Sequence, residues 1–353
     1  MRKGRPTAEE TGLSGITIKD VAQAAGVSVA TVSKALRGAD RVSNETRERI
    51  VAIAARMGWR ANNAARSLVT KRSYLLGLVT ASITNNFSAQ VYEGADSYAS
   101  EKGYGILLCV TEDDYRKERQ ALERLRLEVR ADGVIAVPAP APLGKSIFYD
   151  PAVAAWPYVF VTRHFSDLAS DRVLCDDVKG GAMLTRHLIE LGHRRIAFLY
   201  DSLHAGCSHV MGRRQGYLAA LTEAGIRPDP ELMIALDVDA PAELSRALMT
   251  QLESKGAPAV FGHVDRTAVR VMQLARAAGI DVPGRLSIVG FGNLNISELV
   301  SPPLTTADYA PREMGRLAAR ILIERLERPS AARHQIVMEP HLVNRSSTAR
   351  VRK

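Results

Sequence analysis

The stretch T-I-K-D-V-A-Q-A-A-G-V-S-V-A-T-V-S-K-A-L, Thr17 to Leu36, decides how the chain begins. Thr17 followed three residues later by Asp20 is a capping pair, in which hydroxyl and carboxylate satisfy amide donors that a first helical turn leaves free. A helix is expected over Ile18 to Ala25. Gly26 stands where the backbone must turn, and Ser28 is placed to cap a second helix from Val29 to Leu36. Ile18, Val21, Ala22, Ala25, Val27, Val32 and Leu36 are spaced to meet in one small core. That leaves Val29, Ala30, Thr31, Ser33, Lys34 and Arg37 on an outer face. The pattern is a helix-turn-helix, whose second helix lies in a DNA major groove with its first residues against base edges. Val29, Ala30 and Lys34 are assigned to bases, Ser28, Thr31 and Ser33 to the phosphate backbone, and Arg37 to the same face. The plainer reading is a small helical bundle without a ligand.

Charge argues against the plainer reading. Residues 1–73 carry 14 basic and six acidic residues, leaving 33 against 32 in the rest of the chain. Nearly all of the net charge of +9 therefore belongs to the head. A basic segment joined to a neutral body implies one polyanion-binding surface and a body with another task.

A chain of 353 residues, 46% of them hydrophobic, suits a small head and a body of two lobes. No apolar run is long enough to span a bilayer. The opening M-R-K-G-R-P-T-A-E-E-T-G has no apolar segment after its basic residues, so a secretory signal is not expected. Cys109, Cys175 and Cys207 are scattered, which suits a reducing compartment and neither a disulfide framework nor a cysteine zinc site. A cytoplasmic protein is expected.

The head is followed by V-S-N-E-T-R-E-R-I (42–50), M-G-W-R (57–60) and N-N-A-A-R-S-L (62–68). With these it closely resembles the lactose-repressor family of bacterial transcription regulators. The resemblance extends through L-L-G-L-V (75–79), L-I-E-L-G-H-R-R-I-A (188–197), R-R-Q-G-Y (213–217), L-S-I-V-G-F (286–291) and P-P-L-T-T (302–306). It implies a DNA-binding domain over 16–60 and a hinge helix with linker over 61–73, and leaves outside it a leading segment over 1–15, read from its residues as a flexible basic arm. A two-lobed effector-binding and dimerisation body over 74–345 is also implied, and a basic tail over 346–353 falls outside the resemblance. Asn62, Ala65 and Leu68 would contact DNA from the hinge helix, Leu68 as an apolar wedge in the minor groove. Two departures bear on the operator. Ala61 stands where the family usually has Pro, and Lys34 where it often has Arg, so the planar fork that reads guanine is missing.

Alternating apolar runs and helical patterns in the body predict an α/β fold, with parallel sheets flanked by helices. Strands are expected over 75–80, 105–110, 133–137, 158–162, 195–199, 259–261 and 287–291. Helices are expected from near Ser88, Tyr115, Lys179, Val210, Pro241, Asp265 and Pro311. The resemblance supplies two lobes like those of periplasmic sugar-binding proteins, with the small-molecule site in the cleft at the carboxyl ends of the strands. Arg213 matches the family's effector-contacting arginine, and its fork suits vicinal hydroxyls or a carboxylate. Phe87 matches a ring-stacking aromatic and Asp265 a retained aspartate. Asn85 and Asp177 are further candidates of the same kind.

Three other positions depart from the sugar-binding pattern. Thr162, Val264 and Gly292 stand where many members have Asp, Asn and Asp, while Arg163, His164, Cys207, His209, Arg213 and His263 lie nearby. Donors outnumber acceptors, which points to an anionic effector such as a sugar acid or a phosphorylated sugar. G-F-G-N at 290–293 looks like the variant in gluconate-type regulators, in the same direction.

Other classes find less support. His204, Cys207 and His209 are close enough to suggest a metal sensor, yet the spacing is no zinc signature. No P-loop, nucleophile elbow or complete G-x-G-x-x-G after a strand is present, and Gly180-Gly181 is explained equally by tight packing. The reading is a dimeric, DNA-binding repressor of sugar or sugar-acid genes, requiring no cofactor and no membrane. It would act on a pseudo-palindromic operator under a small-molecule effector. The alternative is a cytoplasmic α/β ligand-binding or enzymatic protein with an incidental head. The last residues, S-S-T-A-R-V-R-K, lack an apolar heptad, so a homodimer is expected rather than a tetramer.

Overall fold

The computed structural model describes residues 16–36, 42–58, 70–84, 86–237 and 242–351. The chain divides into two compact units, Met1–Arg72 and Ser73–Lys353.

In the first unit, α1 (Ile18–Ala25), α2 (Val29–Leu36) and α3 (Asn44–Arg56) form the head. Thr17 and Asp20 make the expected capping box: the Thr17 N–H donates to Asp20 Oδ2 at 2.7 Å, and the Asp20 N–H to Thr17 Oγ1 at 3.4 Å. Gly26 ends α1 in the left-handed region at φ 65°, where a side chain would be disfavoured. Ser28 Oγ accepts from the Thr31 N–H at 3.1 Å, and Ser43 caps α3 in the same way through the Thr46 N–H. Val21, Ala22, Ala25, Val32, Ala35, Ile50 and Ala54 are buried together, with Ile18, Val27 and Leu36 packed against them. Arg49 of α3 donates to Ala25 O at 3.2 Å, tying the third helix to the end of the first.

The second unit follows the chain through β1 (Leu75–Thr80), α4 (Asn86–Glu101), β2 (Gly105–Val110), α5 (Tyr115–Leu127), β3 (Gly133–Ala136), α6 (Pro151–Ala154), β4 (Tyr158–Val161) and β5 (Asp171–Cys175). It continues with α7 (Asp177–Glu190), β6 (Ile196–Asp201), α8 (Ser208–Glu223), β7 (Met233–Leu236), α9 (Ala242–Ser254), β8 (Ala259–Gly262), α10 (Asp265–Ala277), β9 (Ser287–Val289) and α11 (Asn295–Leu299). The chain then runs through β10 (Thr306–Asp308), α12 (Pro311–Glu327), β11 (Gln335–Met338) and β12 (His341–Val343).

Six strands in the order β11-β5-β4-β3-β1-β2 make the first lobe's sheet, and β7-β6-β8-β9 make the second's. Every pairing in both is parallel, with Leu76 beside Gly133 and Ile196 beside Ala259. β3, β4, β8 and β9 are buried along their whole length, as strands covered by helices on both faces must be. The chain crosses between lobes three times: after β5, before α12, and between β11 and β12, which pairs antiparallel with β10. α4 packs on α12 in the first lobe and α7 on α8 in the second.

β5, β7, β10, β11 and β12 are strands the sequence reading did not anticipate. Of the residues read as a basic tail, Ser347 and Ala349 are bonded along β9. Ser347 is fully buried, its hydroxyl accepting from the Thr305 N–H at 2.8 Å and donating to Ile288 O at 2.6 Å. The Val351 N–H donates to Leu191 O at 2.9 Å.

Candidate functional site

On the head, Ser28, Val29, Ala30 and Lys34 are exposed, and Thr31 and Ser33 are half-buried. They occupy the side of α2 opposite the buried Val32 and Ala35. The Ser28 and Thr31 hydroxyls lie 2.9 Å apart across the helix start, so the cap fixes the first turn that a phosphate would meet. Arg37, Asn62, Ala65 and Leu68 lie outside the described residues, as does Asn85 in the body.

In the body, loops at the carboxyl ends of the strands enclose a chamber of about 180 Å³ between the lobes. α8 supplies Arg213 and His209, and the turn after β8 supplies His263. Arg213 is buried: its Nε donates to Asp177 Oδ1 at 2.8 Å and its Nη1 to His263 O at 2.6 Å. Its guanidinium carbon sits 3.6 Å from the centroid of the Phe291 ring, and both residues line the chamber. The two helices that hold this group approach closely, because a Cβ on Gly181 of α7 would lie 2.3 Å from Arg213 O. Tight packing, not a phosphate cradle, is therefore the use of Gly180-Gly181.

His204, His209 and His263 form a triangle of rings with centroids 6.0 to 6.2 Å apart. Burial, reinforced by the charges of Arg163 and Arg213, holds His209 and His263 well below the usual imidazole range, so both are neutral at pH 7. Among the described residues, His209 Nδ1 and His263 Nε2 are buried without a hydrogen-bond partner. No group of three or more His, Cys, Asp or Glu side chains among the described residues is arranged to hold a metal ion.

Asp113, Arg163 and His204 form one wall. The Arg163 guanidinium is paired with the Asp113 carboxylate, and His204 Nε2 lies 2.8 Å from Asp113 Oδ2. The same nitrogen is 3.3 Å from Arg163 Nη2, but it cannot accept there while donating to Asp113. The shorter contact is the bond, and it joins the lobes. Burial pushes the Asp113 carboxyl up, but His204 and Arg163 outweigh it and hold Asp113 well below the usual carboxylate range. Asn86 Nδ2 also bridges the lobes, donating to Asn295 Oδ1 at 2.8 Å.

Of the sequence candidates, Phe87, Arg163, His209, Arg213 and His263 line the chamber. Phe87 is half-buried, its ring 6.0 Å from that of Tyr309. Asp177 and Asp265 are not on the wall. Asp177 is turned onto Arg213, and burial pushes its carboxyl up to about 6 although Arg213 pulls it down. Asp265 starts α10 fully buried, accepting from the Leu294 N–H at 2.8 Å, from the Ser297 hydroxyl at 2.7 Å and from the Thr306 hydroxyl at 2.5 Å. With both its oxygens engaged, its role is to hold the loop after β9. Thr162, Val264 and Gly292, the three departures, are all on the wall. Sequence reasoning missed Asp113, Asp201 and Arg266, which also line it. Their signal was position, since Asp113 and Asp201 fall just after or at the end of strands.

The head and the body each resemble known proteins. Residues 17–62 match the family described as bacterial regulatory proteins, lacI family, and residues 185–348 match a periplasmic binding protein-like domain. The HTH-type transcriptional regulator DegA of Bacillus subtilis is 32% identical over 335 residues, covering 94% of this chain and 98% of its own. The ribose operon repressor of Haemophilus influenzae is 31% identical with the same coverage. Among solved structures, a lac repressor dimer bound to operator and the anti-inducer ONPF matches at TM-score 0.77 and 25% identity, covering 95% of this chain and all of its own. A complex of the regulator CelR with cellobiose matches at TM-score 0.68 and 28% identity, covering 94% of this chain and 99% of its own. The chain belongs to the lacI family of bacterial regulatory proteins, and it is a DNA-binding transcriptional repressor with an effector-binding body.

Proposed function

We propose that this repressor acts in the cytoplasm as a homodimer on a pseudo-palindromic operator and answers to an anionic carbohydrate derivative, a sugar acid or a phosphorylated sugar. The observation that carries the effector class is the composition of the inner chamber. Thr162, Val264 and Gly292 line it, and among the described residues of its wall three arginines and three histidines stand with two carboxylates, those of Asp113 and Asp201, while Arg213 has a third, Asp177, behind the wall. A neutral sugar needs acceptors for its hydroxyls, whereas a carboxylate or phosphate needs donors. The chamber supplies donors. Asp113 already stands against Arg163 and His204 as an effector carboxylate would, so an incoming anion exchanges one charge pair for another.

The effector then works by unequal affinity. Lobes closed around it would alter the spacing of the two head-bearing lobes in the dimer, and hinge helices could no longer pair over the minor groove. The operator is weakened only by as much as the effector prefers that state. One relative is named for a ribose operon and one neighbour is in complex with cellobiose, and the anionic reading predicts that this chain takes neither sugar.

Calorimetric titration of the full chain with D-gluconate, D-glucuronate and D-glucose 6-phosphate, against D-glucose, D-ribose and cellobiose, tests the effector class. Binding confined to the anions, with a matching change in operator affinity, supports the proposal. Binding confined to neutral sugars overturns it.

A further inference from the structure

The cleft does not end at the inner chamber. A second space of about 950 Å³ opens beyond it, and Asp113 and Arg163 line both. The first lobe contributes Tyr149, Phe165 and Leu143 to its walls, the second Leu203 and Met211. Leu143, Leu203 and Met211 are 90%, 56% and 49% exposed, so apolar side chains from both lobes face one opening. Exposed apolar surface rimmed by polar groups is what a ligand groove presents. The two aromatic rings are fixed in place. Their centroids are 5.5 Å apart, Phe165 packs on Phe148 and Phe160, and the Tyr149 hydroxyl donates to Asp167 Oδ1 at 2.9 Å.

Size sets the argument further. Sites that enclose a small ligand run to about 300–1,000 Å³. The inner chamber, at about 180 Å³, falls short of that range alone, and the outer one reaches its upper end. A ligand that fills the cleft therefore has a charged part for the inner chamber and a second part that leaves it past Asp113 and Arg163. The second part meets anchored aromatic faces and aliphatic tips, which suit a ring with a carbon-rich face.

We infer that the outer chamber is a second effector subsite, and that the effector is a two-part molecule whose acidic unit sits within while an uncharged ring, aryl or glycosyl, stacks at Tyr149 and Phe165. The inference rests on the anionic reading of the inner chamber. Closure on such a ligand would cover Leu143, Leu203 and Met211 at once, giving the ring a direct part in holding the lobes together.

The test is calorimetric titration of the full chain with uronates of the gluco and galacto series. Each is used bare, as its phenyl glycoside and as the acidic end of a disaccharide, with neutral phenyl glucoside as the uncharged control. A ring-extended acid is expected to bind at least tenfold tighter than the bare acid, and in Leu143→Ser/Met211→Ser the ratio should fall toward one. A gain only with phenyl identifies an aryl ring, and one only with the disaccharide a glycosyl ring. Bare acids that bind with no gain from any ring overturn the outer subsite and leave the anionic reading standing. Binding of the neutral phenyl glucoside with none by any acid overturns the anionic reading. Silence of every probe overturns both.

Discussion

Arg213 lines the inner chamber and is also the counter-ion of the buried Asp177. Truncation would therefore do two things at once. Removing one partner of a buried ion pair costs about 3–5 kcal/mol, because the other charge is left in a poor solvent. Arg213→Ala is expected to lower the melting temperature and abolish the effector response together. Adding Asp177→Asn should recover much of the melting temperature in a thermal melt but none of the response in an operator-binding assay. Recovery of both would make Arg213 a structural residue. Asp113 predicts the opposite sign. If its carboxylate holds the place of an effector anion, Asp113→Asn should bind D-gluconate about tenfold tighter in calorimetry, a difference of about 1.4 kcal/mol. Weaker binding would instead mean that Asp113 accepts hydroxyls from the effector.

Strands were legible in the sequence where they form continuous apolar runs. β1 has the expected bounds and β3, β4 and β8 lie within a residue of theirs, since an interior parallel strand is a continuous apolar run, and β2, though a sheet edge and mostly unburied, also has its expected bounds because its sequence G-I-L-L-C-V is itself such a run. β7 and β11 are sheet edges with alternating exposure over four residues each, too short for a period to stand out. β5 is hidden by Asp171, a charge in an apolar strand, which is buried because Arg325 Nε donates to it at 2.8 Å from another element. The head was readable because its signals are local: cap, glycine, cap. Arg213 and the histidines could be named from motif and strand position, but the destinations of Asp177 and Asp265 depend on partners far along the chain. Two glycines separate backbone from packing effects. A Cβ at Gly26 would meet nothing within 4 Å, so Gly26→Ala should cost only the left-handed backbone, about 1–2 kcal/mol. It should weaken operator binding only as far as the head unfolds, which circular dichroism of the chain would track. Gly181→Ala instead drives a Cβ into Arg213 O and is expected to cost about 1–3 kcal/mol while displacing the helix that carries His209 and Arg213. Effector affinity should fall with it in calorimetry, and an unchanged affinity would show that α8 does not depend on this contact.

For the whole molecule, stability and ligand affinity should respond to pH in opposite directions, and the buried histidines are the reason. His209 and His263 ionise in the folded chain well below 6.5, their ordinary value, because burial and then the charges of Arg163, Arg213 and His204 disfavour the imidazolium. The unfolded chain binds these protons near 6.5 and the folded chain does not. Their contribution to stability is thus complete above that pH and is lost as pH falls from 6.5 toward the folded values, at about 1.4 kcal/mol per histidine per pH unit. Chemical unfolding at pH 7.5 and 5.5 should show the loss, and His209→Gln/His263→Gln should reduce it. An anion in the inner chamber reverses the local balance by favouring the charged imidazole. Its binding should take up protons and tighten as pH falls from 8 to 6, while below 6.5 the free protein begins to lose stability. Calorimetry in two buffers of different ionisation enthalpy reads that uptake directly. A neutral effector would show none, and because effector and operator affinities are linked, the pH dependence of induction would vanish with it.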